Sequence, residues 1–239
     1  MIFTRDLLYL HVPKTGGMAL TRYLLRALRS PVYYSHPSED PRAGVDGVVE
    51  IDGIRHETLA EAAVTLKEYG FQLERLPLIL ALLRNPYELE VSRFAYLQKN
   101  HPWDSGHNQR LAATGDFEVF AIGSFPHAGH ARPLESYFLL DGSRPANLNI
   151  VRFENIRSEL PHVLGNIGLV LDDLPYENKS EHKPYYTYYT AAAEAAVHAR
   201  YRWVFEAGLY ERMDVGLLAQ PSKPELPEAG GPYGGQTAR

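Results

Sequence analysis

The run Leu76-Pro77-Leu78-Ile79-Leu80-Ala81-Leu82-Leu83 constrains this chain more than any other segment. It has no polar position and no alternation, so a strand here must bury both of its faces. A strand covered on both sides belongs to a parallel sheet with helices above and below it. The run is too short to cross a membrane as a helix. With 239 residues, 45% hydrophobic and 22% charged, the chain is long enough to build such a core and has ordinary globular composition.

The rest of the sequence repeats the strand-then-helix rhythm. Leu7 to Val12 reads as a short buried strand, and Gly17 to Arg29 as an amphipathic helix with Leu20, Leu24, Leu25 and Leu28 on one face. Val32-Tyr33-Tyr34 and Val48 to Ile51 are short β-like pieces, and Thr58 to Tyr69 reads as a helix. After the apolar run, Pro86 suits the first turn of a helix reaching about Lys99. Residues 100–133 are rich in His, Gly, Asn and Pro and predict an excursion from the core, a lid or substrate loop, with one short helix at Asp116 to Ile122. Leu148 to Phe153 predicts a strand, Asn155 to Ile167 a helix, and Thr187 to Ala207 an Ala-rich helix. The expectation is a single α/β domain over residues 1–215, with a mainly parallel central sheet flanked by helices in three layers. Residues 216–239, dominated by Pro and Gly, predict a disordered tail.

Charge and cysteine content narrow the function. Lys plus Arg is 24 against 29 Asp plus Glu, a formal charge of −5, which argues against a duplex nucleic-acid binder while leaving room for a local basic pocket. There is no cysteine, so disulfides, thiolate nucleophiles and Cys-ligated metal sites are excluded. No apolar stretch approaches a membrane span and the first residues do not read as a leader, which predicts a soluble, cytoplasmic protein.

Two segments carry chemistry. His11-Val12-Pro13-Lys14-Thr15-Gly16-Gly17 joins the first strand to the first helix. Backbone N–H groups at a helix N-terminus favour an anion, the glycines let the backbone approach it, and Lys14 adds a cation. The segment is not a Walker A loop, because the lysine precedes the glycines. Alone it also suits a tight turn with a solvated lysine. Arg84 ends the most buried strand, and Ser92 follows eight residues later on the next helix. An Arg there faces the crevice where open α/β sheets bind ligands, and its planar fork suits a phosphate. Alone it also suits an Arg capping a sheet edge.

Together, HVPKTGG and LRNPYELEVSRFAYL resemble the two nucleotide-binding motifs of the sulfotransferases that use 3′-phosphoadenosine 5′-phosphosulfate (PAPS), most of all the carbohydrate-type branch and its bacterial relatives. Val151-Arg152-Phe153-Glu154-Asn155-Ile156 and the segments Asn178 to Tyr189 and Phe205 to Tyr210 are similar to later parts of that family. The resemblance implies a P-loop-like three-layer α/β sandwich. It implies that Lys14 and the loop Pro13, Thr15, Gly16, Gly17 and Met18 hold the 5′-phosphosulfate, that Arg84 and Ser92 hold the 3′-phosphate, and that Ser180 contacts the nucleotide. Adenosine 3′,5′-bisphosphate (PAP) would be the released product. Relatives carry hydroxyl residues after the loop glycines, whereas this chain has Met18-Ala19, so the cradle here is backbone alone.

Sulfuryl transfer needs a cation beside the leaving oxygen and a base for the acceptor hydroxyl. Lys14 suits the first role. His56 suits the second, because relatives carry a base in a comparable Gly-x-His segment; Glu57 or Glu61 is placed to orient it, or Glu57 to start the helix. His11 reads as loop scaffolding. His101 and Trp103 on the excursion are candidate acceptor contacts, and His127 and His130 lack the third ligand a metal would need, so no metal is expected. Tyr185, Tyr186, Tyr188 and Tyr189 suit either an adenine or acceptor pocket or helix-start packing. The expected partner is a hydroxyl-bearing acceptor, a carbohydrate or a secondary metabolite. The alternatives are a P-loop-type nucleotide-dependent kinase, which the absent Walker sequence disfavours, and a non-catalytic nucleotide-binding module, which Met18-Ala19 keeps open.

Overall fold

The computed structural model describes residues 1–29, 31–36, 47–99, 106–125, 132–171 and 182–218. Its six strands form one sheet in the order β4-β3-β1-β2-β5-β6, where β1 is Ile2–Phe3, β2 Leu7–Leu10, β3 Val32–His36, β4 Val48–Asp52, β5 Leu78–Leu83 and β6 Leu148–Arg152. β2, β5 and β6 run parallel, as do β3 and β4. Only β1 runs against its neighbours on both sides. The mainly parallel sheet is therefore as expected, with one short antiparallel strand that the sequence pattern did not show.

β5 accounts for the layering. Leu78, Leu80 and Leu82 pack into one core with Leu20, Leu24 and Leu25 of α1 (Gly17–Ala27) and Leu160 and Leu164 of α6 (Ile156–Gly165). Ile79, Ala81 and Leu83 point the other way, into a core with α2 (Leu59–Glu68) and α3 (Pro86–Leu97). Each fully buried Leu contributes about 2 kcal/mol of apolar transfer free energy, so neither face of β5 tolerates a polar residue. Two helices of the excursion, α4 (Gly106–Ala113) and α5 (Phe117–Gly123), add to the α3 side with α7 (Ala191–Arg200) and α8 (Arg202–Glu206).

Several boundaries differ from the sequence reading. The excursion is more regular than expected: α4 forms because Asn108 and Ala112 are buried, and the Asn108 side chain accepts the Phe125 N–H at 2.9 Å. The Ala-rich helix is divided at Tyr201, whose hydroxyl donates to buried Glu90 at 2.7 Å. Glu90 also accepts from Arg93 at 2.9 Å and Arg200 at 2.6 Å, and Arg200 reaches the carbonyls of Ala121 and Ser124. This buried ion cluster ties the end of α5 to α3 and α7. From residue 219 onward the expected tail lies outside the described residues.

The topology places the site. The chain leaves β2 into α1 on one face and leaves the adjacent β5 into α3 on the other. The two loops diverge at the C-terminal ends of neighbouring parallel strands, and such a divergence opens a ligand crevice in α/β sheets.

Candidate active site

The loop from His11 to Gly17 is folded tightly by its own groups. Thr15 is fully buried, and its hydroxyl donates to the Val12 carbonyl at 2.8 Å, so only its backbone faces outward chemistry. Lys14 has φ 61° and Gly16 φ 74°. The left-handed conformation costs a lysine about 1–3 kcal/mol, a strain that ligand sites characteristically carry. The glycines have steric reasons. A Cβ on Gly16 would lie 2.3 Å from the Phe153 ring, and one on Gly17 would lie 2.5 Å from the His11 ring and from the Tyr9 hydroxyl. α1 begins directly after this loop with no side-chain cap and no acidic residue in its first turn, which keeps its positive end available to an anion.

Arg84 follows the last residue of β5 and comes to this loop. Its Nη1 donates to the Lys14 carbonyl at 3.3 Å and its Nη2 to Glu88 Oε1 at 2.9 Å. Its guanidinium lies over the Phe153 ring at 4.9 Å. Its Nε is buried and finds no acceptor among the described residues. α3 starts one residue later, with the Asn85 side chain accepting the Tyr87 N–H at 3.0 Å and Pro86 in its first turn.

The ammonium of Lys14 rests 3.7 Å above the Tyr96 ring. Burial, and after it the charges of Arg84 and Lys99, lower its pKa from 10.5 to about 8. Three cations thus share one partly buried locus in a chain of net charge −5. Ser92 is buried on α3, one turn before Tyr96, so helical spacing sets both on the face directed at Lys14.

His56 reaches the same loop from the segment before α2. Its Nδ1 donates to the His11 carbonyl at 2.7 Å, and the two imidazoles meet edge to face at 4.8 Å. That bond selects the tautomer with Nδ1 protonated and leaves Nε2 as the basic nitrogen. Burial lowers its pKa to about 4; the His11 carbonyl raises it, and the N-terminal amine, Arg55 and Arg132 lower it further. Neither carboxylate proposed to orient His56 does so. Glu57 accepts from the Ser35 and Thr65 hydroxyls, and Glu61 forms the capping box of α2 with Thr58. Glu61 also binds Arg132, which donates to the His56 carbonyl at 3.0 Å. His11 itself is buried behind the loop, its Nδ1 3.2 Å from the Thr21 hydroxyl.

The structure therefore brings together the loop, Arg84, α3 with Ser92, and His56. His101, Trp103 and Ser180 lie outside the described residues, as do His127 and His130. Tyr189 is core, its hydroxyl donating to the Tyr87 carbonyl at 2.8 Å, and Tyr188 packs on Phe94 and Phe117. Tyr185 instead lines a cleft of about 450 Å³ with Asn85, Tyr87, Arg152 and Tyr210. Two residues that sequence reasoning missed hold the site together. Phe153 packs on Gly16 and Arg84 at once, and Tyr96 carries Lys14. Tyr96 falls four residues after Ser92, a helical spacing visible in the sequence; nothing local signals Phe153.

Among the described residues, no group of three or more His, Asp or Glu side chains is placed to hold a metal, and no helix is long and apolar enough to cross a membrane. No family model matches the sequence, and no curated protein matches it. The fold is similar to the crystal structure of mouse sulfotransferase SULT7A1 complexed with PAP, at 12% identity and TM-score 0.46 over 85% of this chain and 86% of that one. It is also similar to that of a sulfotransferase from Alicyclobacillus acidocaldarius, at 14% identity and TM-score 0.43 over 85% of this chain and 96% of that one. These are likenesses of chain path at low identity, and the reading of the site rests on its own residues.

Proposed function

We propose that this chain is a PAPS-dependent sulfotransferase that moves a sulfuryl group to the hydroxyl of a small-molecule or carbohydrate acceptor and releases PAP. The observation that carries this reading is the convergence of two buried cations from separate loops, Lys14 and Arg84, at the uncapped start of α1. A single phosphate would need one of them. A nucleotide with anionic groups at both its 3′ and 5′ positions would use both.

The residues fit such a ligand. Arg84 keeps a buried Nε without an acceptor, and the loop has no room for a Cβ at Gly16 or Gly17, so the backbone itself forms the cradle. In this assignment the Lys14 loop and the first N–H groups of α1 hold the 5′ group, and Arg84 with Ser92 holds the 3′-phosphate. The tyrosine-lined cleft beside Asn85 has a volume suited to a nucleoside. The donor supplies an activated sulfuryl group on a phosphate leaving group. Lys14 stabilises the charge that develops on the leaving oxygen, where a preorganised cation in a desolvated site acts most strongly. His56 takes the acceptor proton at Nε2, with its ring fixed through Nδ1 by the His11 carbonyl. His56 is a weaker base than an ordinary histidine, and a bound polyanion raises its basicity toward the working range.

These roles set a pH profile. His56 must be unprotonated, so kcat/KM rises as pH climbs through about 4. Lys14 must be protonated, so kcat/KM falls as pH passes about 8. The test is turnover of sulfur-labelled PAPS with a panel of sugar and phenol acceptors, followed from acid to alkaline pH. The expected result is labelled acceptor and a broad plateau between those limits. Labelled product with an acid limb near ordinary histidine, or with no alkaline limb, would contradict the assigned roles; magnesium-dependent consumption of ATP in place of PAPS would contradict the reaction.

A further inference from the structure

The residue that meets Arg84 most closely is a carboxylate. Glu88 lies in the first turn of α3, and its Oε1 accepts from Arg84 Nη2 at 2.9 Å. Both two-pronged edges of a guanidinium, Nε with Nη2 and Nη1 with Nη2, include Nη2. Here Nη1 is engaged only by a long bond to the Lys14 carbonyl at 3.3 Å, and Nε has no acceptor among the described residues. A phosphate that grips Arg84 with two oxygens must therefore share Nη2 with Glu88.

Glu88 also faces the tyrosine-lined cleft. The Tyr185 hydroxyl is pushed up first by burial and then by the charges of Glu88 and Glu154. The Glu88 carboxylate thus stands between the Arg84 guanidinium and the cleft, one quarter exposed against 11% for the Arg84 side chain. From these contacts we infer that Glu88 sets the strength of 3′-phosphate binding. It holds Arg84 in place without nucleotide, and its charge opposes the phosphate when nucleotide binds, which weakens the complex and speeds product release. This inference rests on the sulfotransferase reading and adds to it a residue that acts through Arg84.

Glu88→Gln tests it, because the amide keeps an acceptor oxygen for Arg84 and removes only the charge. Glu88→Gln is expected to bind PAP about tenfold more tightly, the scale of one like charge removed beside a partly buried phosphate, with the gain in the dissociation rate. AMP has no 3′-phosphate, so its affinity is expected to stay within about twofold. Glu88→Asp, which keeps the charge, is expected to bind PAP like the parent. Titration calorimetry and stopped-flow release on the full chain read these values, and thermal melting shows that each variant is folded. The inference is overturned if the parent prefers PAP to AMP but Glu88→Gln binds PAP no more tightly, since Glu88 would then only clamp Arg84. If the parent shows no preference for PAP, the nucleotide assignment itself fails and this inference falls with it.

Discussion

Arg84→Ala is expected to weaken PAP binding by about 100- to 1,000-fold, the cost of removing one partner of a buried, charge-assisted pair with a phosphate. The variant loses both hydrogen bonds of the guanidinium and its contact with the Phe153 ring. It also leaves Glu88 beside the phosphate position with its charge uncompensated. Binding of AMP is expected to fall much less, because the lost contact belongs to the 3′ group. Arg84→Lys is expected to recover only a small part, since an ammonium cannot grip two oxygens in a fixed plane or lie flat on Phe153. Parallel titrations with both nucleotides check this. Equal losses for PAP and AMP would mean that Arg84 only supports the loop through the Lys14 carbonyl.

His56→Ala separates chemistry from binding. Removal of a general base costs about 100- to 10,000-fold in rate, and no nucleotide contact is assigned to His56. Sulfuryl transfer is therefore expected to collapse while PAP affinity stays within about twofold. The surrounding scaffold does not depend on the imidazole: Arg132 holds the residue through its backbone carbonyl, and Glu57 and Glu61 bind other partners. A variant that retained full transfer would show that another group takes the proton. One that lost PAP binding as well would show that His56 shapes the loop through the His11 carbonyl.

The parts of this fold that were legible in the sequence are those governed by local pattern. β5 showed itself because a strand buried on both faces has no alternation, and Pro86 and the glycines of the loop marked where it and β2 give way to helices. β1 left no pattern, being two residues long and held by pairing on either side. Tyr201 interrupts an Ala-rich helix because its hydroxyl is drawn to Glu90, a residue more than a hundred positions away. The site divides in the same way. Lys14, Arg84 and Ser92 could be read as motif positions with the right context. The carrier of Lys14, the ring that joins Gly16 to Arg84, and the backbone carbonyl that orients His56 are meetings of distant segments. Sequence reasoning looked to adjacent carboxylates for His56, whereas the fold gave those carboxylates to Ser35, Thr65, Thr58 and Arg132.

The central claim is that two cations from two loops form one site for a nucleotide carrying both a 3′ and a 5′ anionic group. Calorimetric titration of the unaltered chain with PAP, repeated with AMP, tests it most directly. The account predicts that PAP binds at least about tenfold more tightly than AMP, because only PAP engages Arg84 as well as the Lys14 loop. Equal affinities for the two nucleotides, or no binding of either, would contradict it.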